Sequence, residues 1–318
     1  MPIAASVSSD LDLDVSAVMW AGLGVVVIVM LALDLLVFAR SHEPRLRESV
    51  AWSVVWLAAA LVFGAAVWVW QGAEAGGQYL AGYLLERSLS LDNIFVFAVI
   101  LGYFAVPVIV QPKVLSWGIG LALVMRLGFI LAGAALLDAF HATFYVFGGL
   151  LLYTAWKLAR HSDNEVEPGH NAALRLLRRR VPMTEGYEGD RLVVRRGGRR
   201  MATPLAAVFV VIATTDVMFA VDSIPAVFAV TQEPFIVFAA NAFALLGLRA
   251  LYFVLVGMMD RFVYLSYGLA TILAFIGVKL LLIDAWHPPM WLSLTVIVGV
   301  LGASAALSMT ASAQRRAA

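Results

Sequence analysis

Apolar residues run along this chain in blocks of about 20, the length that crosses a hydrocarbon layer of about 30 Å, and polar residues collect in the gaps. The pattern predicts nine helices, near 15–39, 50–70, 79–106, 114–137, 142–159, 204–230, 234–257, 262–283 and 289–309. Trp20, Trp52, Trp56, Trp68 and Trp70 gather toward block ends, where indole rings favour the membrane–water boundary. The expected fold class is an all-α polytopic membrane protein of about nine transmembrane helices.

Two polar interruptions inside blocks break this pattern. "ERSLSLDNIF" (86–95) and "DVMFAVDSIP" (216–225) each carry an acid, five residues and a second acid, 130 positions apart. Further matches follow in the same order: Arg126 in "LVMRLGF" with Arg249 in "LGLRALY", and Lys157 in "YTAWKL" with Lys279 in "FIGVKL", at offsets of 123 and 122. The chain therefore divides into an N-terminal tail with two helices (1–78), a three-helix repeat (79–159), a linker (160–202), a second three-helix repeat (203–284) and a last helix with its tail (285–318). A repeat with an odd number of spans re-enters the membrane from the opposite side, so the two copies are expected to be inverted, with ion sites where they meet.

An acid at mid-membrane costs about 2.5–3.5 kcal/mol on insertion scales, so Glu86, Asp92, Asp216 and Asp222 must face protein, water or a cation. The bland alternative is internal pairing with Arg126 and Arg249. Six residues along a helix is a rotation of about 240° and a rise of about 9 Å, so a continuous helix sends the two acids of each pair to different faces. Pro225 removes a backbone donor, and a kink or unwinding is expected there beside Asp222. Carboxylates with amide oxygens of Asn93 or Asn241 form a hard oxygen set suited to Mn²⁺, Mg²⁺ or Ca²⁺. Met218 could soften that set, although packing is its commoner use. Asp34 near the end of the first helix either pairs with Arg40 or joins the ion path, and Lys157 and Lys279 are expected to anchor span ends. Four crowded carboxylates would hold protons when empty, which an entering divalent cation would displace.

Composition and charge narrow the classes. The 318 residues are 62% hydrophobic and 14% charged, with mean hydropathy +0.90, which excludes an ordinary soluble domain; the net charge of +1 gives no reason to expect nucleic acid. Zero cysteines remove disulfides and thiolate metal sites. The five histidines, 42, 141, 161, 170 and 287, all fall at span ends or in gaps, so neither an imidazole-rich metal site nor an intramembrane hydrolase is expected. Basic residues alternate by side: "RSHEPRLRE", Lys113, the ten arginines of 160–202, Arg261, Arg315 and Arg316 share one face if the acidic N-terminus is outside, which predicts N-out, C-in. The 160–202 segment reads as a solvated cytoplasmic linker, with binding of anionic headgroups as the alternative.

"GYLLERSLSLDNIFVF", "DVMFAVDSIPAVFAVTQEPFIVFAANAFALLGLRALYF" and "YGLATILAFIGVKLLL" resemble the TerC family of integral membrane proteins, in length and span number its Alx branch. The resemblance implies a fold related to the LysE transporter superfamily and manganese export across the bacterial inner membrane. Some members are linked to calcium or tellurite resistance. Carried over by position, it places the family's acidic motif, and with it the metal, on Glu86, Asp92, Asp216 and Asp222 with Asn93 and Ser223 beside them; the chain's own pattern adds Asp34, Arg126, Asn241 and Arg249 as accessory residues. Two positions depart from the family pattern: Ala213 stands where an acid is usual and Ala240 where a hydroxyl is common. The expected partners are a transported Mn²⁺ or Ca²⁺ and the lipid bilayer, with no permanent cofactor, no nucleic acid and no enzymatic activity. Proton-coupled export of an organic solute and a non-transporting membrane scaffold are the alternatives.

Overall fold

The computed structural model describes residues 15–38, 46–160, 169, 171–196, 198–256, 264–286 and 288–317. Among them lie ten helices: α1 (Ala17–Phe38), α2 (Leu46–Tyr103), α3 (Gln111–Ala139), α4 (Ala142–Arg160), α5 (Ala172–Arg180), α6 (Pro204–Phe228), α7 (Pro234–Leu246), α8 (Leu248–Leu255), α9 (Leu265–Leu281) and α10 (Met290–Ala317). Pro112, Pro204 and Pro234 open α3, α6 and α7 in the first turn, where a missing N–H costs nothing. Exposed Val18, Leu36, Val69 and Val124 cover the outside of the bundle while charged side chains lie inside, the arrangement of a protein whose solvent is lipid.

Among the described residues five helices are long and apolar enough to cross a membrane, or six if the bent pair α7 and α8 is one span. Two expected helices, 50–70 and 79–106, are joined in the 58-residue α2, which departs from helical geometry only at Gly72 (φ 92, ψ 173). That conformation belongs essentially to glycine. Gly72→Ala is therefore expected to cost about 1–3 kcal/mol and to lower the melting temperature in detergent; an unchanged melting temperature would mean that the break relaxes. The expected span 234–257 is likewise two helices, bent by 43° at Gly247.

Both arms of α2 pack on the α7 and α8 pair, α3 packs on α6, and α4 packs on α9. Gly82 of α2 lies against Val227 of α6, whereas Glu86 shares an arginine with Asp216, so numbers rise along α2 as they fall along α6 and the two helices run antiparallel. Along the α4·α9 seam Gly148 and Gly277 face each other: a Cβ on either would stand 3.0 Å from the other's carbonyl oxygen. Such backbone proximity is how helices gain contact in lipid, where the hydrophobic effect does not drive them together.

The bundle is helical throughout, and the linker, read from its charge as an irregular segment, adds a short helix and a hairpin. Asn171 caps α5, its Oδ1 accepting from the amides of Ala173 and Leu174, and β1 (Val193–Arg196) pairs antiparallel with β2 (Arg199–Ala202) in the register Val193↔Ala202. Local propensity explains what the high charge obscured: "NAALRLL" supplies a cap and a buried Leu174, and Gly198 (φ 79) supplies the turn. The unit is tied to the bundle by Tyr187, whose hydroxyl donates to the Phe104 carbonyl at 2.7 Å, and by an ion pair of Lys113 with Asp190 that holds the Asp190 carboxyl below its usual range.

Candidate functional site

Arg126, fully buried near the middle of α3, is the centre of the polar interior. Its Nη1 donates to Glu86 Oε1 and lies 3.4 Å from Ser223 Oγ; its Nη2 lies 3.4 Å from Asp216 Oδ1. The leading acids of both repeats thus converge on one guanidinium, and the pairing alternative raised by the sequence holds for these two residues. Neutralisation is incomplete, since two carboxylates share one cation. Glu86 Oε2 and Asp216 Oδ2 are buried with no hydrogen-bond donor among the described residues.

The second acids go elsewhere. Asp222, half-buried, accepts from Thr154 Oγ1 at 3.0 Å with Lys157 of α4 nearby. Asp92 is half-buried, and no hydrogen bond or ion pair involves it among the described residues. Because α2 and α6 are antiparallel, six residues beyond Glu86 and six beyond Asp216 lead in opposite directions, by about 9 Å each. Among the described residues no three His, Asp or Glu side chains are placed to hold a metal ion together, so the four acids do not close into one cage in this conformation. Asn93 and Ser223 are buried beside their acids. Asn241, 1% exposed, has neither its amide nitrogen nor its oxygen hydrogen-bonded among the described residues.

Arg249, the repeat counterpart of Arg126, is held among the described residues by Asp34 and Ser116, with no repeat acid in the contacts described. It ion-pairs with Asp34 of α1 at 2.8 Å, donates to the Asp34 backbone carbonyl and reaches Ser116 Oγ at 2.6 Å. The expected partner of Asp34, Arg40, lies outside the described residues, as do the acidic N-terminal tail, Arg261 and four of the five histidines. Removing only one partner strands a buried charge. Arg249→Gln should destabilise the protein more than Asp34→Asn with Arg249→Gln together, measured by thermal unfolding in detergent; equal losses would mean that the pair is not coupled.

Met218 stays out of the ligand set, and two further expectations, for Lys279 and Pro225, are revised. Met218 is 62% exposed on the outer face of α6, two residues and about 200° around the helix from Asp216, and does not serve the site. Lys279 is drawn inward, its Nζ donating to the Ala229 carbonyl at 2.9 Å, instead of anchoring in the headgroups. Pro225 does not unwind α6, which continues to Phe228 and ends one turn later, so few backbone bonds remain to be lost. Arg87 joins the polar interior without being among the residues expected from the sequence. The bend at Gly247 frees the Ala244 carbonyl from the helical ladder, and Arg87 Nη1 donates to it at 2.8 Å, tying the motif of α2 to the break between α7 and α8. Its position beside Glu86 was a signal, since adjacent helical residues point about 100° apart and serve different partners.

The family model for the integral membrane protein TerC family matches residues 71–316. The chain belongs to the TerC family. Similar proteins include an uncharacterized membrane protein, STKORF319, of Myxococcus xanthus, 47% identical over 92% of each chain. Proteins named "Putative membrane-bound redox modulator Alx" are 44% identical in Salmonella typhi and 43% in Escherichia coli K12, each over 89% of this chain and 91% of its own. No solved structure matches. As a TerC protein the chain is an integral, multi-pass membrane protein whose polar interior is built from two related acid motifs.

Proposed function

We propose that this TerC protein exports divalent metal cations, Mn²⁺ first among them, through the interface of two inverted three-helix repeats in the bacterial inner membrane. The observation that supports it most is the pair of buried carboxylate oxygens, Glu86 Oε2 and Asp216 Oδ2, which come from opposite repeats and have no hydrogen-bond donor among the described residues, while the other oxygen of each acid shares Arg126. Buried acids in membrane helices belong to ion or proton paths by default. Hard oxygen ligands suit Mn²⁺ or Ca²⁺, and the excess negative charge calls for a cation or a proton.

In this reading Asp92 and Asp222 flank the centre on either side as successive ligands, and Asn93, Ser223 and Asn241 supply neutral oxygens. Arg126 is the countercharge that a divalent ion must displace or share, and the Asp34–Arg249 pair braces the second repeat against α1. Nine spans, an external N-terminus and a cytoplasmic C-terminus complete the proposal, with movement of the ion and no covalent chemistry. The redox-modulator name of the Alx relatives suggests a different role, yet a chain without cysteine has no thiol pair of its own with which to exchange electrons.

Equilibrium Mn²⁺ binding to the purified protein tests the site. One saturable Mn²⁺ site, competed by Ca²⁺ and weakened about 10–100-fold in Glu86→Gln with Asp216→Asn, is expected. No saturable binding to the wild type would overturn the proposal.

A further inference from the structure

The linker unit holds a cleft that transport does not use. It measures about 360 Å³ and is lined by Phe104, Arg178, Val181, Pro182, Met183, Thr184 and Pro204. Phe104 directly follows α2 and Pro204 opens α6, so the cleft lies at the level where two apolar helices end. One side is apolar, while Arg178 supplies a cation and Thr184 a hydroxyl.

The surface around the cleft has the same double character. Residues 171–202 carry nine arginines against three acids, and two of those acids are engaged, Glu188 by Arg196 and Asp190 by Lys113. Arg175, Arg178, Arg179, Arg180, Arg195, Arg199 and Arg200 are exposed. Leu176, Leu192 and Val193 stand exposed among them at 57%, 41% and 54%, which a merely solvated loop would not need. The placement of α5 explains the mixture. Asn171 at its start donates from Nδ2 to Thr214 Oγ1, ten residues into α6, at 2.8 Å, while Pro182 just past its end pairs with Ala202, next to the start of α6. α5 therefore lies antiparallel along the first turns of α6, with its apolar start beside Thr214 and Arg178–Arg180 toward the start of α6.

We infer that this cleft binds the headgroup of an anionic phospholipid of the surrounding bilayer. The phosphate lies against Arg178, the glycerol and first methylenes pack on Phe104, Met183 and Pro204, and the neighbouring arginines attract the lipid. A basic cluster beside a membrane helix draws anionic lipid, and each residue near the surface contributes about a fivefold gain in binding.

The test uses full-length protein in mixed micelles containing phosphatidylglycerol or phosphatidylcholine, with bound lipid counted by native mass spectrometry. The wild type should retain phosphatidylglycerol in preference to phosphatidylcholine, and increasingly so as salt is lowered. R178Q should reduce that preference about fivefold, and R178Q/R179Q/R180Q should remove it; both substitute exposed residues, and an unchanged elution profile and helical circular dichroism verify the fold. Equal retention of the two lipids by the wild type would overturn the inference. So would full preference in both variants, or displacement of the lipid by millimolar inorganic phosphate or by RNA, which would mark the cleft as a site for free phosphate or nucleic acid.

Discussion

Arg126→Gln is expected to destabilise the protein by about 3–5 kcal/mol, the largest loss predicted for any single exchange here. Arg126 is the only cation paired with Glu86 and Asp216 among the described residues, and both carboxylates are essentially inaccessible. Without it the two acids must take up protons or draw in water. Glu86→Gln and Asp216→Asn added to Arg126→Gln should restore most of the loss, because replacing a whole buried ionic group costs far less than halving it. Thermal unfolding in detergent and hydrogen exchange across α3 are the measurements. A single variant as stable as the wild type would mean that the guanidinium is not holding these acids together.

Asp92→Asn with Asp222→Asn should act in the opposite way, leaving stability within about 0.5 kcal/mol while lowering Mn²⁺ flux by about 10–100-fold. Both acids are half-buried and neither is clamped by an arginine among the described residues, so little folding energy rests on their charge. Their proposed duty is to accept the ion on either side of Arg126. Full flux in the double variant would remove them from the path; collapse of the fold would make them structural.

These two outcomes bear on how far the site was legible in the sequence. The spacing of Glu86 and Asp92, and of Asp216 and Asp222, already implied that each pair divides, since six residues turn a continuous helix by about 240°. The structure divides them in that way, first acids to Arg126 and second acids outward. What the spacing could not convey is that the matched arginines part company. Arg126 and Arg249 occupy equivalent places in the repeat, yet one meets repeat acids and the other meets Asp34 from α1, an element outside the repeat. That difference is tertiary.

The fold was legible where apolar blocks were long and blurred where backbone detail decides. Gly72 ends one arm of α2 and starts the next without a loop, and Gly247 bends a span that hydropathy reads as straight. The linker was the weakest reading, because its charge hid a capped helix held by one buried leucine and a hairpin of four-residue strands. The role of Arg87 is not legible in the sequence, because it depends on a carbonyl freed by a bend in another helix.

The central claim is that the interior carboxylates carry a divalent cation. Its most direct test is Mn²⁺ uptake into proteoliposomes of the purified wild-type chain, with a pH reporter in the lumen and Ca²⁺ and Mg²⁺ run alongside. The account predicts saturable Mn²⁺ movement above that of empty liposomes, accompanied by protons moving the other way and accelerated when the side receiving Mn²⁺ is made acidic. Mn²⁺ movement no greater than in empty liposomes, with or without a pH gradient, would contradict it.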